Sequence, residues 1–298
     1  MYRLIAIFSI SLLLFTSCRE DRPEYGFVRL VFQHVWDDES LQLHRTEPYV
    51  NAAGNSLVFD RLQYIISDLR IDGEELIRIE SPEVHFISIN GDTTILITYQ
   101  IPVGDYSLLS FNFGLNEHIN QSNAFPNLPG NMPWPVGMGG GYHYMMIDGW
   151  WTSPTTPQSR GFGLHLGALE VLVDVFTRID TTWGFNVETE TLYVSQIRTQ
   201  IDSIFERHHH FLRVETPRVF TVEPNTITTL EPIVMNVRQW MEDPHLWDFD
   251  EIGGQIMSNR PALDMLATNA ESGVFRGARV TRGQPNPTPR IVTVISYR

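Results

Sequence analysis

His143 and His165 sit in two short apolar runs, Tyr142–Asp148 and Gly161–Gly167, separated by a polar loop around Pro154. Neutral imidazole suits copper, zinc, iron and nickel, and the thioethers of nearby Met145 and Met146 favour the softer Cu(I). Upstream, Trp134 stands between two prolines and is followed by three glycines, Gly139 to Gly141. This Pro and Gly punctuation limits each apolar run to strand length. If the two runs form one hairpin with its loop centred at Pro154, His143 falls opposite His165 and Met145 opposite Gly163. Opposed side chains in such a pair have Cβ atoms roughly 4.5–5.5 Å apart, close enough for two imidazoles to share one metal. Gly161, Gly163 and Gly167 flank His165 and leave room for something bulky. The same pattern also describes two satisfied core histidines on a tight hairpin.

Other residues offer weaker chemistry. Val28, Leu30, Phe32 and His34 alternate along Phe27–His34, so His34 continues an apolar face and reads either as a core or rim residue or as a further ligand. His208-His209-His210 is a compositional hint of metal binding, with a solvated loop or hairpin as the plainer reading. No Gly-x-Ser-x-Gly, His-Glu-x-x-His or cysteine cluster occurs. Hydrolase chemistry would need His143 or His165 with a carboxylate such as Asp148. No acidic cage of the kind that holds Ca²⁺ is visible.

The run Gly-Gly-Tyr-His-Tyr-Met-Met-Ile-Asp-Gly, together with Phe-Gly-Leu-His-Leu-Gly, resembles the core of the MbnP-like domain. Two further stretches agree. Pro48–Gly54 leads into Leu62–Leu69, similar to an early family block with Ile65 and Asp68 as departures, and Trp240–Pro244 with Ile256–Asn259 resembles the C-terminal blocks. The likeness spans about residues 27–275 and departs between Leu169 and Val219, which is longer than the family pattern. It implies a copper-binding protein of the periplasm or outer membrane; with no catalytic motif found, no enzyme is expected. It further implies copper held by histidines with an oxidised tryptophan, a kynurenine made by a partner dihaem peroxidase. His143 and His165 match the family blocks. His34 is the weaker metal candidate, and Trp134 and Trp36 are the candidate tryptophans.

The elements that must position these residues are mostly strands. After Phe27–His34 come Leu62–Ile71, then Val84–Ile89 and Thr93–Tyr99 around Asn90-Gly91-Asp92, a strong hairpin signal. Pro102 and Gly104 turn the chain into Tyr106–Leu115. Strands at this spacing with turn chemistry between them predict an antiparallel β-sandwich with long loops. Leu169–Ile179 is apolar. Leu192–Arg207 fits either helical spacing or broken strands, since β-branched residues dominate it. Phe211–Glu215, Val219–Val222 and Thr226–Val237 read as strands. Gly253–Thr268 reads as a C-terminal helix that begins near Asn259 with Pro261 in its first turn. Ile291–Tyr297 reads as a last strand.

Met1–Ser17 carries Arg3 and an apolar run from Leu4 to Phe15, then reaches Cys18, the single cysteine of the chain. This is a secretory leader ending in a lipoprotein-type box, too short for a membrane span of about 20 residues. A lipidated Cys18 would anchor an outer-membrane lipoprotein facing the periplasm or the cell surface. The expected organisation is therefore a leader over 1–18, a linker over 19–26, a β domain over 27–275 and a tail over 276–298. The full chain has 298 residues and a formal net charge of −14, and all its basic residues besides histidine are arginines. That balance argues against nucleic acid as a partner, and the absence of lysine excludes a P-loop and Schiff-base chemistry. Two readings remain: a copper-binding envelope lipoprotein, and a metal-free surface β-sandwich that binds a protein or glycan through Trp134, Tyr142, Tyr144, Trp150 and Trp151.

Overall fold

A computed structural model describes residues 24–72, 74–75, 84–89, 94–283 and 288–297. Cys18, the leader and the Asn90-Gly91-Asp92 turn lie outside the described residues. In chain order the strands are β1 (Tyr25–Trp36), β2 (Glu39–Ser40), β3 (Tyr49–Val50), β4 (Ser56–Ile71), β5 (Glu74–Glu75), β6 (Val84–Ser88), β7 (Thr94–Pro102) and β8 (Gly104–Phe113). They continue with β9 (His143–Thr152), β10 (Ser159–Gly167), β11 (Leu169–Asn186), β12 (Thr191–His208), β13 (Leu212–Val222), β14 (Ile227–Thr229) and β15 (Ile233–Asn236). One α-helix, α1 (Arg260–Glu271), precedes β16 (Arg279–Arg282) and β17 (Thr288–Tyr297). The β-sandwich expected from the sequence is the observed class.

Two sheets form the sandwich. One is built around β1, flanked by β7, β14, β15 and β2; β14 and β15 run parallel to β1, the rest antiparallel. The larger sheet runs β10-β9-β4-β8-β13-β16, with β3, β5 and β6 also on β4. Alternation explains the inner faces. Val28, Leu30, Phe32 and His34 of β1 are all buried, as their spacing predicts, against Leu62, Tyr64, Phe111 and Phe113 of the opposite sheet. Phe32 meets Phe111 edge to face with ring centroids 5.8 Å apart. The side chain of Asn259 caps α1 by accepting from the Ala262 amide at 3.2 Å, and Pro261 occupies the first turn, as expected. Asn269 of α1 donates to the carbonyls of Trp240 and His245, tying the helix to the preceding turn.

One expectation changes and one open reading is decided. Val84–Ile89 and Thr93–Tyr99 do not belong to one hairpin: β6 pairs with β4 and β7 with β1, so the chain crosses between the two sheets there. An Asn-Gly signal favours a tight reversal, but the two apolar strands found better burial on opposite sheets, where His85 Nε2 and Tyr99 Oη still meet at 2.6 Å. Leu192–Arg207 is strand throughout, within β12, because its β-branched residues suit a pleated ladder better than a helix. Within the expected tail, β16 pairs with β13 in the main sheet, and the expected last strand is β17, paired with β12. Strands β11, β12 and β17 form a separate three-stranded arm.

Candidate metal centre

The arrangement begins in the loop before β9. A one-turn 3-10 helix, Val136–Met138, ends in Gly139, Gly140 and Gly141, all at positive φ of 109°, 66° and 89°. Only glycine adopts three such conformations in succession without strain. The turn lays Met132–Trp134 antiparallel against Gly141–His143: Trp134 N donates to Gly141 O at 2.8 Å and His143 N to Met132 O at 2.8 Å. Trp134 is thereby fixed over the start of β9.

β9 and β10 form the expected hairpin in a different register. Ser159 faces Thr152, Gly163 faces Asp148, His165 faces Met146, and Gly167 faces His143. His143 is therefore not directly opposite His165. The strands run past Trp150 and Trp151 to Thr152 because β9 is also paired along β4, so the ladder rather than the midpoint of the loop sets the register. The register shifts between Leu166 and Gly167, which leaves Tyr144 as an extra residue on β9. Such a bulge re-aims a side chain. It turns His143 onto the face that carries His165, and the two rings meet diagonally, centroids 5.1 Å apart and planes at 83°.

The glycines make this possible. A Cβ on Gly167 would lie 2.6 Å from the Trp134 indole, so the absent side chain is the seat of that ring. A Cβ on Gly163 would lie 3.2 Å from both Asp148 Oδ1 and His165 Nε2. Trp134 then stands edge to face with His143, centroids 4.8 Å apart. Trp134, His143 and His165 thus form a continuous row of rings.

Each imidazole has one nitrogen committed and one free. His143 Nδ1 donates to the Met132 carbonyl at 3.0 Å, and His165 Nε2 donates to Asp148 Oδ1 at 2.8 Å. His143 Nε2 and His165 Nδ1 are buried and have no protein partner, and neither has the Trp134 indole nitrogen. An oxygen acceptor on one ring nitrogen sets the tautomer and leaves a lone pair on the other, which is how metal-binding histidines are oriented. Burial holds His143 down to a pKa of about 4, with the neighbouring His165 adding to the effect against the Met132 hydrogen bond. Burial raises the Asp148 carboxyl, but hydrogen bonds from His165 and Arg61 outweigh it and leave it below the ordinary carboxylate range. Arg61 Nε donates to Asp148 Oδ2 at 2.7 Å.

The other sequence candidates lie elsewhere. His34 contacts Tyr64 Oη at 2.9 Å. Tyr64 pairs with Met145, whereas the neighbouring Gln63 pairs with Met146, the partner of His165. Adjacent strand residues point to opposite faces, so His34 lies on the sandwich-core side and the histidine pair on the outer side. Trp36 packs among Tyr49 and Phe59 in that core, away from the pair. Of the two methionines, Met146 shares the outer-face cluster with Met132, whereas Met145 faces the core. His209 and His210 are buried rather than solvated: His210 bridges Gly167 O and Asp264, and His209 meets Tyr144 Oη at 3.3 Å. Asp148, which the sequence offered as a carboxylate partner only for hydrolase chemistry, supports His165, while Arg61 and the Met132 carbonyl escaped notice. Their roles depend on cross-strand register, for which the sequence carried no signal.

Among the described residues no three His, Cys, Asp or Glu side chains gather as a metal cage. The centre is therefore a buried two-nitrogen donor pair walled by an indole, on the outer face of a β-sandwich. The family profile described as MbnP matches residues 25–244, and the chain belongs to that family. Among solved structures, MbnP from Methylosinus trichosporium is similar at 13% identity, with a TM-score of 0.40, over 88% of this chain and 100% of that one. No curated protein matches the chain.

Proposed function

We propose that this protein binds copper through His143 and His165 and captures it or hands it on within the cell envelope, without catalysing a reaction of its own. The observation that carries this reading is the pair of buried, unpartnered nitrogens, His143 Nε2 and His165 Nδ1, on rings whose other nitrogens are already fixed by oxygen acceptors. Two such donors suit copper among the borderline metals, and two buried methionines adjoin them: Met146 faces His165 across the hairpin, and the Met132 carbonyl accepts from His143. Copper as the cargo follows from the family resemblance. The same resemblance implies that a dihaem peroxidase oxidises one tryptophan, with Trp134 and Trp36 as the candidates, and the contact of Trp134 with His143 supports Trp134. The chain would be held at the outer membrane by lipid on Cys18.

The chain's own residues supply preorganisation. Met132 O and Asp148 hold the two tautomers, Arg61 keeps Asp148 ionised, and burial keeps His143 neutral at physiological pH. An Asp148–His165 dyad could also orient a catalytic base, but Nδ1 of His165 meets no hydroxyl or thiol among the described residues. The alternative of an aromatic recognition face is weakened because Trp134, Tyr142, Tyr144 and Trp151 are buried, leaving Trp150, 51% exposed, as the accessible ring. The deciding experiment is the metal content of the untagged protein purified from its native envelope, with copper, zinc and iron quantified together. Stoichiometric copper is expected; protein that stays metal-free after equilibration with Cu(I) would favour the recognition module.

A further inference from the structure

Among the described residues, one face of the arm formed by β11, β12 and β17 is left largely exposed along the hairpin. Register and alternation put Leu172, Val175, Ile179 and Trp183 of β11 on that face, together with Ile197 and Ile201 of β12. Val292 and Val294 of β17 extend it, since they pair with Ser203 and Ile201. Bulges at Leu172/Asp174 and Thr182/Trp183 keep the apolar residues on one side along the whole hairpin. Between Leu172 and Phe185 neither strand of the hairpin places a charge on this face, whereas the opposite face carries Asp174, Arg178, Asp180, Arg198 and Asp202.

We infer that this apolar face is a homodimer interface, covered by the same face of a second copy of the chain. Its large apolar side chains on β11, on β12 from Leu192 to Ile201, and at Val292 and Val294 are 36–67% exposed. Large apolar side chains at such exposure leave roughly 1,000 Å² of one face open, beyond the patch size typical of monomers and above the ~800 Å² per partner of a standard interface. The main body has two packed layers, but the arm is a single layer, and an amphipathic sheet needs a second layer to cover it. A flat apolar sheet face is self-complementary about a two-fold axis, and two such faces stack about 10 Å apart as in a sandwich. A lipid surface fits less well. The turn at the tip carries Glu188 and Glu190, and acidic residues outnumber arginines across 169–208.

Light scattering coupled to size-exclusion chromatography of the full protein tests this at high micromolar concentration. The wild type should have twice the chain mass, and Ile179→Asp with Ile197→Asp should halve it without changing the far-ultraviolet spectrum. Thr182→Asp on the polar face should leave the dimer intact. In a Cys18→Ser background, Thr199→Cys on the apolar face should cross-link under mild oxidation and Gln200→Cys should not. A wild type of single-chain mass overturns the inference, as does a dimer that survives the double substitution. Arm-dependent co-sedimentation with phosphatidylcholine vesicles by a protein monomeric in solution would assign the face to lipid instead.

Discussion

His143 and His165 touch edge to face although neither is the other's partner across the hairpin. Gly167 is opposite His143 and Met146 is opposite His165. The contact is made by a bulge at Tyr144 and by the glycine that admits Trp134. The pair is thus a product of the register rather than of simple opposition. Its two free nitrogens are aimed by Met132 in the loop before β9, by Asp148 on β9 and, through Asp148, by Arg61 on β4.

The support given by Asp148 can be measured. Asp148→Asn keeps the size but removes the charge that fixes the His165 tautomer. Loss of such an oriented partner costs metal sites 10- to 100-fold in affinity as an order of magnitude. Competition titration with a Cu(I) chelator should show a loss of about that size in a protein that still folds. Unchanged affinity would mean that the Asp148–His165 hydrogen bond does not serve the metal.

Stability should fall in mild acid. Burial holds both His143 and His209 at about 4, with Arg207 adding to the effect at His209. Unfolded histidine titrates near about 6.5. Above that value both states are neutral and the full stability is present. As pH falls from about 6.5 toward 4, the unfolded chain takes up protons that the folded chain refuses, and stability is lost, roughly 3 kcal/mol per ring at completion. Urea midpoints measured between pH 7 and 4 on the metal-free protein should decline steadily over that window. A flat profile would show that these rings are solvated.

Much of this was legible in the sequence, and the limits are physical. Alternation along β1 identified its buried face, and Asn259 with Pro261 marked the start of α1. The two apolar runs with their histidines were recognisable as a hairpin. Their register was not, because β4 rather than the loop sets it. The Asn90-Gly91-Asp92 signal led to a hairpin that the sandwich divides between its sheets. The buried state of His209 and His210 was hidden because it depends on Tyr144, Gly167 and Asp264, which are distant in sequence.

Oxidation, if it accompanies copper binding, should be confined to one tryptophan. Trp134 adjoins His143, whereas Trp36 is packed among Tyr49 and Phe59. Peptide mapping of protein recovered from its native cells should place kynurenine at Trp134, and Trp134→Phe should abolish it. Modification at Trp36 would contradict the assignment of the indole wall.

The anchor is tested by Cys18→Ser. The variant should leave the membrane fraction or accumulate with its leader attached. Fractionation and migration identical to the wild type would remove the lipoprotein proposal.

The most direct measurement is a Cu(I) competition titration of the wild type, His143→Ala, His165→Ala and His34→Ala, each with an unchanged far-ultraviolet spectrum. One copper per chain is expected for the wild type and for His34→Ala, whose ring lies on the other side of the sheet. Loss of most of the affinity is expected in each of the other two. Equal binding by all four would contradict a centre built on His143 and His165.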